Sequence, residues 1–222
     1  MTLAIFDLDY TLTKRGTWGR FVWSMIKFRP HLWVPLWGSA GLTQWKYKQG
    51  KLPRVAVKQA MMRWCMTGKT KEEMLRRAEA FADNEVRNGM RPGGLTVLRE
   101  HQERGDTVMI ASAAVDIIVE AIAEQLGVVH VVSTNMSWSK EGRLSHDFKS
   151  ENCYGPEKLR RVQTYLTENS LMKQNHTDIT MYSDSYSDLD ILTFADLSVA
   201  VHPDKRLESH AKQHGWPIKN WN

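Results

Sequence analysis

Apolar positions fall into two rhythms along the chain. Leu3 to Phe6 is a short apolar run that ends at Asp7, the pattern of a strand buried on both faces. Trp18, Phe21, Val22, Met25 and Ile26 then recur at helical spacing, with Pro30 expected to end that helix. Residues 31 to 53, rich in Trp, Leu, Pro and Gly, fit neither period. Val55 to Cys65 reads as a helix, and Thr70 with Glu73 forms a capping box that opens another, with Met74, Ala78, Phe81 and Ala82 on one face.

After Arg91-Pro92-Gly93-Gly94 helices and strands alternate. Helices are expected over Leu95–Arg104, stopped at Gly105, over Val115–Leu126, closed by Gly127, from Pro156 to about Glu168, and near Asp188–Phe194. Strands are expected over Thr107–Ala111, Val128–Ser133, Ile179–Tyr182 and Leu197–Val201. Strands alternating with helices predict an α/β fold, a Rossmann-like parallel sheet covered on both faces. Residues 13 to 90 then form an all-helical insert after the first strand, and 1–12 with 91–222 the core. A chain of 222 residues has room for both.

Charge sharpens this division. No acidic residue occurs between Asp9 and Glu72, a stretch that holds thirteen Lys and Arg. The net charge is +5, so the rest of the chain is net acidic, and the insert is the part suited to an anionic partner. The N-terminus lacks the basic and apolar regions of a signal peptide, and no apolar run reaches the length of a membrane span. Cys65 and Cys153 make no zinc or disulfide pattern and suit reduced thiols, so a cytoplasmic location is expected. The eight histidines show no metal-ligand spacing.

The chemistry gathers at strand ends. Asp7-Leu8-Asp9-Tyr10-Thr11 follows the first strand, and Ser112-Ala113 follows the second. Lys158 opens a helix, and Asp184 and Asp188 follow a later strand. All lie at one edge of the expected sheet, where open α/β sheets bind ligands. Asp7, Asp9 and Asp184 in one pocket would repel and raise each other's pKa, a conflict that a hard divalent cation removes. Such a cation also neutralises a phosphate dianion. Lys158 adds positive charge, and the Ser112 hydroxyl can donate to a phosphoryl oxygen.

This ordered set resembles the haloacid dehalogenase superfamily, in its phosphoserine-phosphatase-like branch, and the insert resembles the type 1 cap. The resemblance implies a phosphatase with Asp7 as the phosphorylated nucleophile and Asp9 as acid and then base. It implies Mg2+ held by Asp7, the Asp9 backbone carbonyl and Asp184, with Asp188 supporting the metal site or holding Lys158. Thr11 would brace the loop, and Ser112 and Ala113 would bind phosphate. Asp9 favours phosphoryl transfer over dehalogenation.

The substrate is less determined. Relatives that read an ammonium group place an acid soon after the first motif, whereas this chain has Lys14 and Arg15, suited to a second anionic group. Six of nine tryptophans lie in the insert, Trp18, Trp23, Trp33, Trp37, Trp45 and Trp64. Trp with Lys and Arg is the composition of interfacial segments. Residues 16 to 64 also look like the cap of bacterial phosphatidylglycerophosphate phosphatases. A lipid phosphate, with peripheral contact on the inner face of an anionic membrane, is therefore one expectation. A soluble metabolite of the phosphoserine or histidinol-phosphate kind, with the tryptophans packing the insert, is the other. A third class is a non-catalytic polyanion binder. No nucleic-acid motif accompanies the basic residues, and no nucleic-acid partner is expected.

Overall fold

The computed structural model describes residues 2–171 and 178–222, so that His176 lies outside the described residues. The first strand, β1 (Thr2–Phe6), is followed by the helical insert: α1 (Thr17–Ile26), α2 (Trp33–Lys48), α3 (Val55–Cys65) and α4 (Lys71–Asn88). The chain continues through α5 (Pro92–Glu103), β2 (Thr107–Val115), α6 (Asp116–Gln125), β3 (His130–Thr134), β4 (Met136–Trp138) and β5 (Leu144–Phe148). It closes with α7 (Pro156–Glu168), β6 (Asp178–Ser183), α8 (Leu189–Phe194), β7 (Leu197–Val201), α9 (Lys205–His214) and β8 (Ile218–Lys219).

Six strands form one parallel sheet in the order β3-β2-β1-β6-β7-β8. Leu3 pairs with Thr107 on one side and Ile179 on the other, so β1 is central and its Leu3–Phe6 run is fully buried. Side chains alternate across it. Leu3 and Ile5 join Met109, Met181, Val162 and Leu207 in the core under α7, α8 and α9. Ala4 and Phe6 join Val108, Ile110, Tyr182 and Leu98 on the opposite face. Strand order reverses beside β1, which places the topological switch point at the ends of β1 and β6.

Four local expectations change. Residues 31 to 53 contain α2, whose apolar residues point to all sides, with Leu36 and Ala40 alone fully buried. That lack of a single apolar face hid its period. Pro30 opens a short 3-10 turn, and α1 already ends at Ile26. β2 runs on to Val115, where a helix was expected to start, because its pairing with β3 slips between Ala111 and Val115 and resumes at Thr134. Finally, β4 and β5 form an antiparallel hairpin outside the main sheet.

That hairpin holds the insert. Leu144 exchanges backbone hydrogen bonds with the Gly68–Lys69 turn, accepting from Gly68 N–H and donating to Lys69 O, both at 2.9 Å. Lys71 N–H donates to Gly142 O at 3.1 Å. At the other end, the outgoing and returning chains meet at Thr13 and Met90, flanked by Lys14 N–H to Gly89 O and Arg91 N–H to Leu12 O, each 2.8 Å. Thr70 caps α4 by accepting Glu73 N–H, while the Glu73 carboxylate pairs with Lys69 and Arg77. Cys65 and Cys153 are both free and buried, and burial pushes their thiols up to about 12 and about 11.

Candidate active site

A cavity of about 300 Å³ opens at the switch point. Asp7, Asp9, Ser112, Ala113, Lys158, Asp184 and Asp188 all line it, together with Tyr10, Arg54 and Tyr154. A wider hollow of about 600 Å³ beside α6 and Tyr165 holds two carboxylates, Glu120 and Glu124, and no cation in its lining. Chemistry, not size, singles out the first.

Asp7 leaves β1 in extended conformation, anchored by its N–H on Tyr182 O at 2.9 Å. Leu8–Leu12 then make one loose turn, closed by Thr13 N–H on Leu8 O at 2.9 Å, with Tyr10 at φ +64°. A tyrosine in the left-handed region is uncommon. Arg91 compensates by donating Nε to the Tyr10 carbonyl at 3.0 Å. The turn separates two carboxylates that a straight strand would send to the same face. Asp9 Oδ1 accepts Thr17 N–H at 2.8 Å, at the start of α1, where unpaired N–H groups favour a carboxylate.

Thr11 braces the centre. Its buried hydroxyl lies 3.4 Å from Asp7 Oδ2 and 3.1 Å from Asp184 Oδ1, and it accepts Asp184 N–H at 3.0 Å. Asp204 secures the same loop from α9: its N–H donates to Asp184 O at 2.8 Å, and its carboxylate accepts Tyr186 N–H.

Lys158 is 2% exposed. Gly155, at φ +60°, turns the chain, and Pro156 begins α7, so the lysine enters the site from the first helical turn. Its ammonium lies 2.7 Å from Asp188 Oδ2 and 2.9 Å from Asp7 Oδ1. Ser183 donates Oγ to Asp188 Oδ2 at 2.7 Å. Asp188 Oδ1 is buried without a partner. Ser112 is fully buried, and its Oγ accepts Ala114 N–H at 3.1 Å.

The expected conflict among the acids is present. Burial pushes the Asp7 carboxyl well up; Lys158 opposes the rise, and Asp188 and Asp184 add to it. Burial raises Asp184 to about 6, against the Thr11 hydrogen bond. Burial raises Asp9 as well, against the Thr17 hydrogen bond and the charges of Lys58 and Arg20. For Lys158 burial favours loss of the proton, and the charges of Asp188 and Asp7 win, so it stays an ammonium.

Lys14 and Arg15 sit exposed on the segment entering the insert and do not line the cavity. Arg54 does, and its guanidinium stacks on Tyr154 at 4.1 Å. Lys58, one turn further along α3, reaches the core beside the site. Neither is legible in the sequence as more than part of a basic stretch, because only the fold carries the insert over the strand ends.

The fold and this constellation define an α/β protein with an acidic, lysine-bridged centre at the switch point of its sheet. Residues 4–193 match the family model of haloacid dehalogenase-like hydrolases, and the chain belongs to that family. A histidinol-phosphatase from Neisseria meningitidis is 26% identical over 152 residues, 68% of either chain. The chain spans about half the length of the mycobacterial relatives it matches, among them the phosphoserine phosphatase SerB1, 27% identical over 154 residues. Among solved structures, a protein of unknown function from Bordetella pertussis superposes with TM-score 0.86 at 22% identity, covering 100% of this chain and 99% of that one. A substrate-bound phosphoserine phosphatase superposes with TM-score 0.66 at 18% identity, covering 99% and 93%. The chain is thus an enzyme of the phosphatase type, on the phosphoserine-phosphatase-like fold. The non-catalytic alternative is set aside.

Proposed function

We propose that the protein is a magnesium-dependent phosphatase that hydrolyses a phosphate monoester through an aspartyl-phosphate on Asp7. The observation that carries this reading is the split between the two carboxylates of one turn: Asp7 is bridged to Lys158, and Asp9 is held apart on Thr17 N–H. A carboxylate oxygen of Asp7 attacks phosphorus, and the ester oxygen departs with the proton of Asp9. Asp9, now ionised, takes a proton from water, whose oxygen attacks the same phosphorus and releases phosphate and the Asp7 carboxylate. The raised pKa of Asp9 suits a group that must give and take a proton. Lys158 and Ser112 hold the phosphoryl oxygens.

Asp7, the Asp9 carbonyl and Asp184 would hold Mg2+, which when bound neutralises the phosphate dianion. The donors fit that ion. Among the described residues no cluster of three His, Cys, Asp or Glu side chains forms a protein cage. Magnesium usually takes one or two carboxylates and completes its shell with water and phosphate oxygens. Two carboxylates with raised pKa values, Asp7 buried and Asp184 half-buried, both beside the Thr11 hydroxyl, are what such an ion would relieve. Asp188 serves Lys158 in this reading. The chain divides accordingly into a catalytic core, 1–12 and 91–222, and a cap, 13–90.

Arg54 at the cavity supports a substrate with a second anionic group, and Lys14 and Arg15 add to the positive field. The phosphatase relatives support a soluble monoester. A lipid phosphate is favoured by a different observation. From Pro30 to Trp45 no residue is charged, and Lys27, Arg29, Lys46 and Lys48 flank the run. Phe28 is 86% and Trp45 55% exposed, and Trp23, Trp33, Trp37 and Trp64 also reach the surface; Trp18 is half-buried. Among the described residues no helix is long and apolar enough to cross a membrane, and in this reading the exposed aromatics would rest on the surface of one.

Phosphate release from p-nitrophenyl phosphate, with and without Mg2+, tests the activity. Folded Asp7→Asn is expected to show no turnover, since an amide cannot form the acyl phosphate. Substantial magnesium-dependent turnover by that variant would overturn the mechanism. Phosphoserine, histidinol phosphate and phosphatidylglycerophosphate, assayed in parallel, separate the substrate readings.

A further inference from the structure

Lys58 is a cation of the insert that the chemistry above does not use. Its ammonium donates to Ala113 O at 2.5 Å and to Asn152 Oδ1 at 2.8 Å. Both acceptors belong to segments that build the site. Ala113 follows Ser112, and Asn152 lies in the loop that leads into α7 and Lys158. The β2–β3 ladder slips between Ala111 and Val115, so the Ala113 carbonyl sits where regular strand pairing is interrupted.

Thr134 completes a closed polar ring. Its hydroxyl lies 3.0 Å from Ala113 O and 3.2 Å from Asn152 Oδ1, and it accepts Cys153 N–H at 3.0 Å. A hydroxyl has one proton and can serve only one of these acceptors at a time. The ammonium has three and serves both at once. Burial pushes Lys58 down to about 8, with the Asp9 charge opposing, so the ring holds a cation at some cost. Other ties of the insert include the Gly68–Lys71 contacts with the hairpin, the Gln59 side-chain hydrogen bond to Asp147, the packing of α4 on α6 and the Thr13–Met90 crossing. At the site end, Arg54 stacks on Tyr154 but is itself exposed, where such a contact is weak.

We propose that Lys58 is a positioning residue: from the cap it clamps the Ala113 carbonyl and the Asn152 side chain, and so fixes the irregular Ser112–Ala113 stretch of β2 and the approach to Lys158 whenever the insert sits over the strand ends. It touches no reacting atom. Its effect on rate rests on the phosphatase reading; its effect on the two loops does not.

The test compares wild type with Lys58→Met, Lys58→Arg and Asn152→Ala. Hydrogen exchange, without substrate, follows backbone amides over 112–114 and 152–155. Steady-state assays with p-nitrophenyl phosphate and Mg2+ follow kcat, KM and inhibition by inorganic phosphate. In Lys58→Met both segments are expected to exchange faster while β1 is unchanged. Phosphate inhibition should weaken and kcat fall by about tenfold, the scale of one lost charge-assisted hydrogen bond. Lys58→Arg should recover most of both. Asn152→Ala should loosen the same segments, and its effect should not add to that of Lys58→Met. It also stands in should Lys58→Met fail to fold. Unchanged exchange in a folded Lys58→Met overturns the proposal, even if kcat falls, since Lys58 would then act on substrate directly. Additive effects of the two variants overturn it as well. If wild type hydrolyses nothing, the phosphatase reading fails and the exchange data alone decide the clamp.

Discussion

Lys158 lies closer to Asp188, at 2.7 Å, than to Asp7, at 2.9 Å. The ammonium is thus held by a carboxylate that also accepts from Ser183, which leaves Asp7 sharing its cation rather than owning it. Removing one partner of a buried pair costs about 3–5 kcal/mol, whereas replacing both by apolar groups is often neutral. Asp188→Ala should therefore unfold at markedly lower urea and lose activity. Replacing all three members of the cluster, Asp7→Asn with Lys158→Met and Asp188→Leu, should regain much of the stability and none of the turnover. Urea titration beside a p-nitrophenyl phosphate assay separates the two; a triple variant as unstable as the single one would contradict this account.

Asp9 should matter most when the leaving group is poor. General acid–base groups contribute about 10²–10⁴-fold. Asp9→Asn is expected to lose that much with an alkyl phosphate and much less with p-nitrophenyl phosphate, when phosphorylation of Asp7 limits the rate. Single-turnover rates for the two esters provide the comparison. Equal losses would speak against protonation by Asp9.

Asp184 sets a pH dependence for the metal-free protein. Its folded pKa, about 6, lies above the ordinary 3.8. A carboxyl raised on folding adds stability that is fully present below the unfolded pKa and is lost as pH rises through the folded one. Metal-free protein should therefore lose stability from this group between about pH 4 and 6. Magnesium, which favours the ionised acid, should raise Tm more at pH 7.5 than at pH 5, and Asp184→Asn should reduce that difference. Thermal melts at the two pH values, with Mg2+ or with EDTA, check the sign.

The exposed aromatic and basic residues of the insert predict sedimentation with anionic vesicles and not with neutral ones. Each Lys or Arg near such a surface adds about 1 kcal/mol, so a few suffice, and salt should release the electrostatic part. Phe28→Ser with Trp45→Ser, both at exposed positions, should weaken vesicle binding and leave turnover of p-nitrophenyl phosphate unchanged. Absence of vesicle binding at low salt would leave the soluble substrate as the better reading.

The parts of the site that belong to strand ends were legible because each is written locally. An apolar run stops, and a carboxylate, hydroxyl or lysine follows. Asp7, Ser112 and Asp184 carry that mark, and Pro156 announces the helix that carries Lys158. Arg54, Lys58 and Asp204 carry none. Their roles come from segments far apart in sequence that meet only in the fold, as Lys58 meets Ala113 and Asn152. Five of the six strands of the sheet were legible for the same local reason, and the two-residue β8 was not. The hairpin of β4 and β5 was not, since three- and five-residue strands with polar faces give little period to read.

The central place of β1 has a consequence for synthesis. Among the strands of this sheet it is made before the others, and it lies between the strands that begin at Thr107 and Asp178. As the chain emerges, an apolar strand with both edges bare must wait for the whole insert and α5 before its first neighbour exists. Its second arrives only when most of the protein is out. Pairings this distant make folding slow and leave unpaired strand edges open to wrong partners. The nascent protein is therefore most at risk of aggregation while it already carries Asp7 and still lacks Asp184.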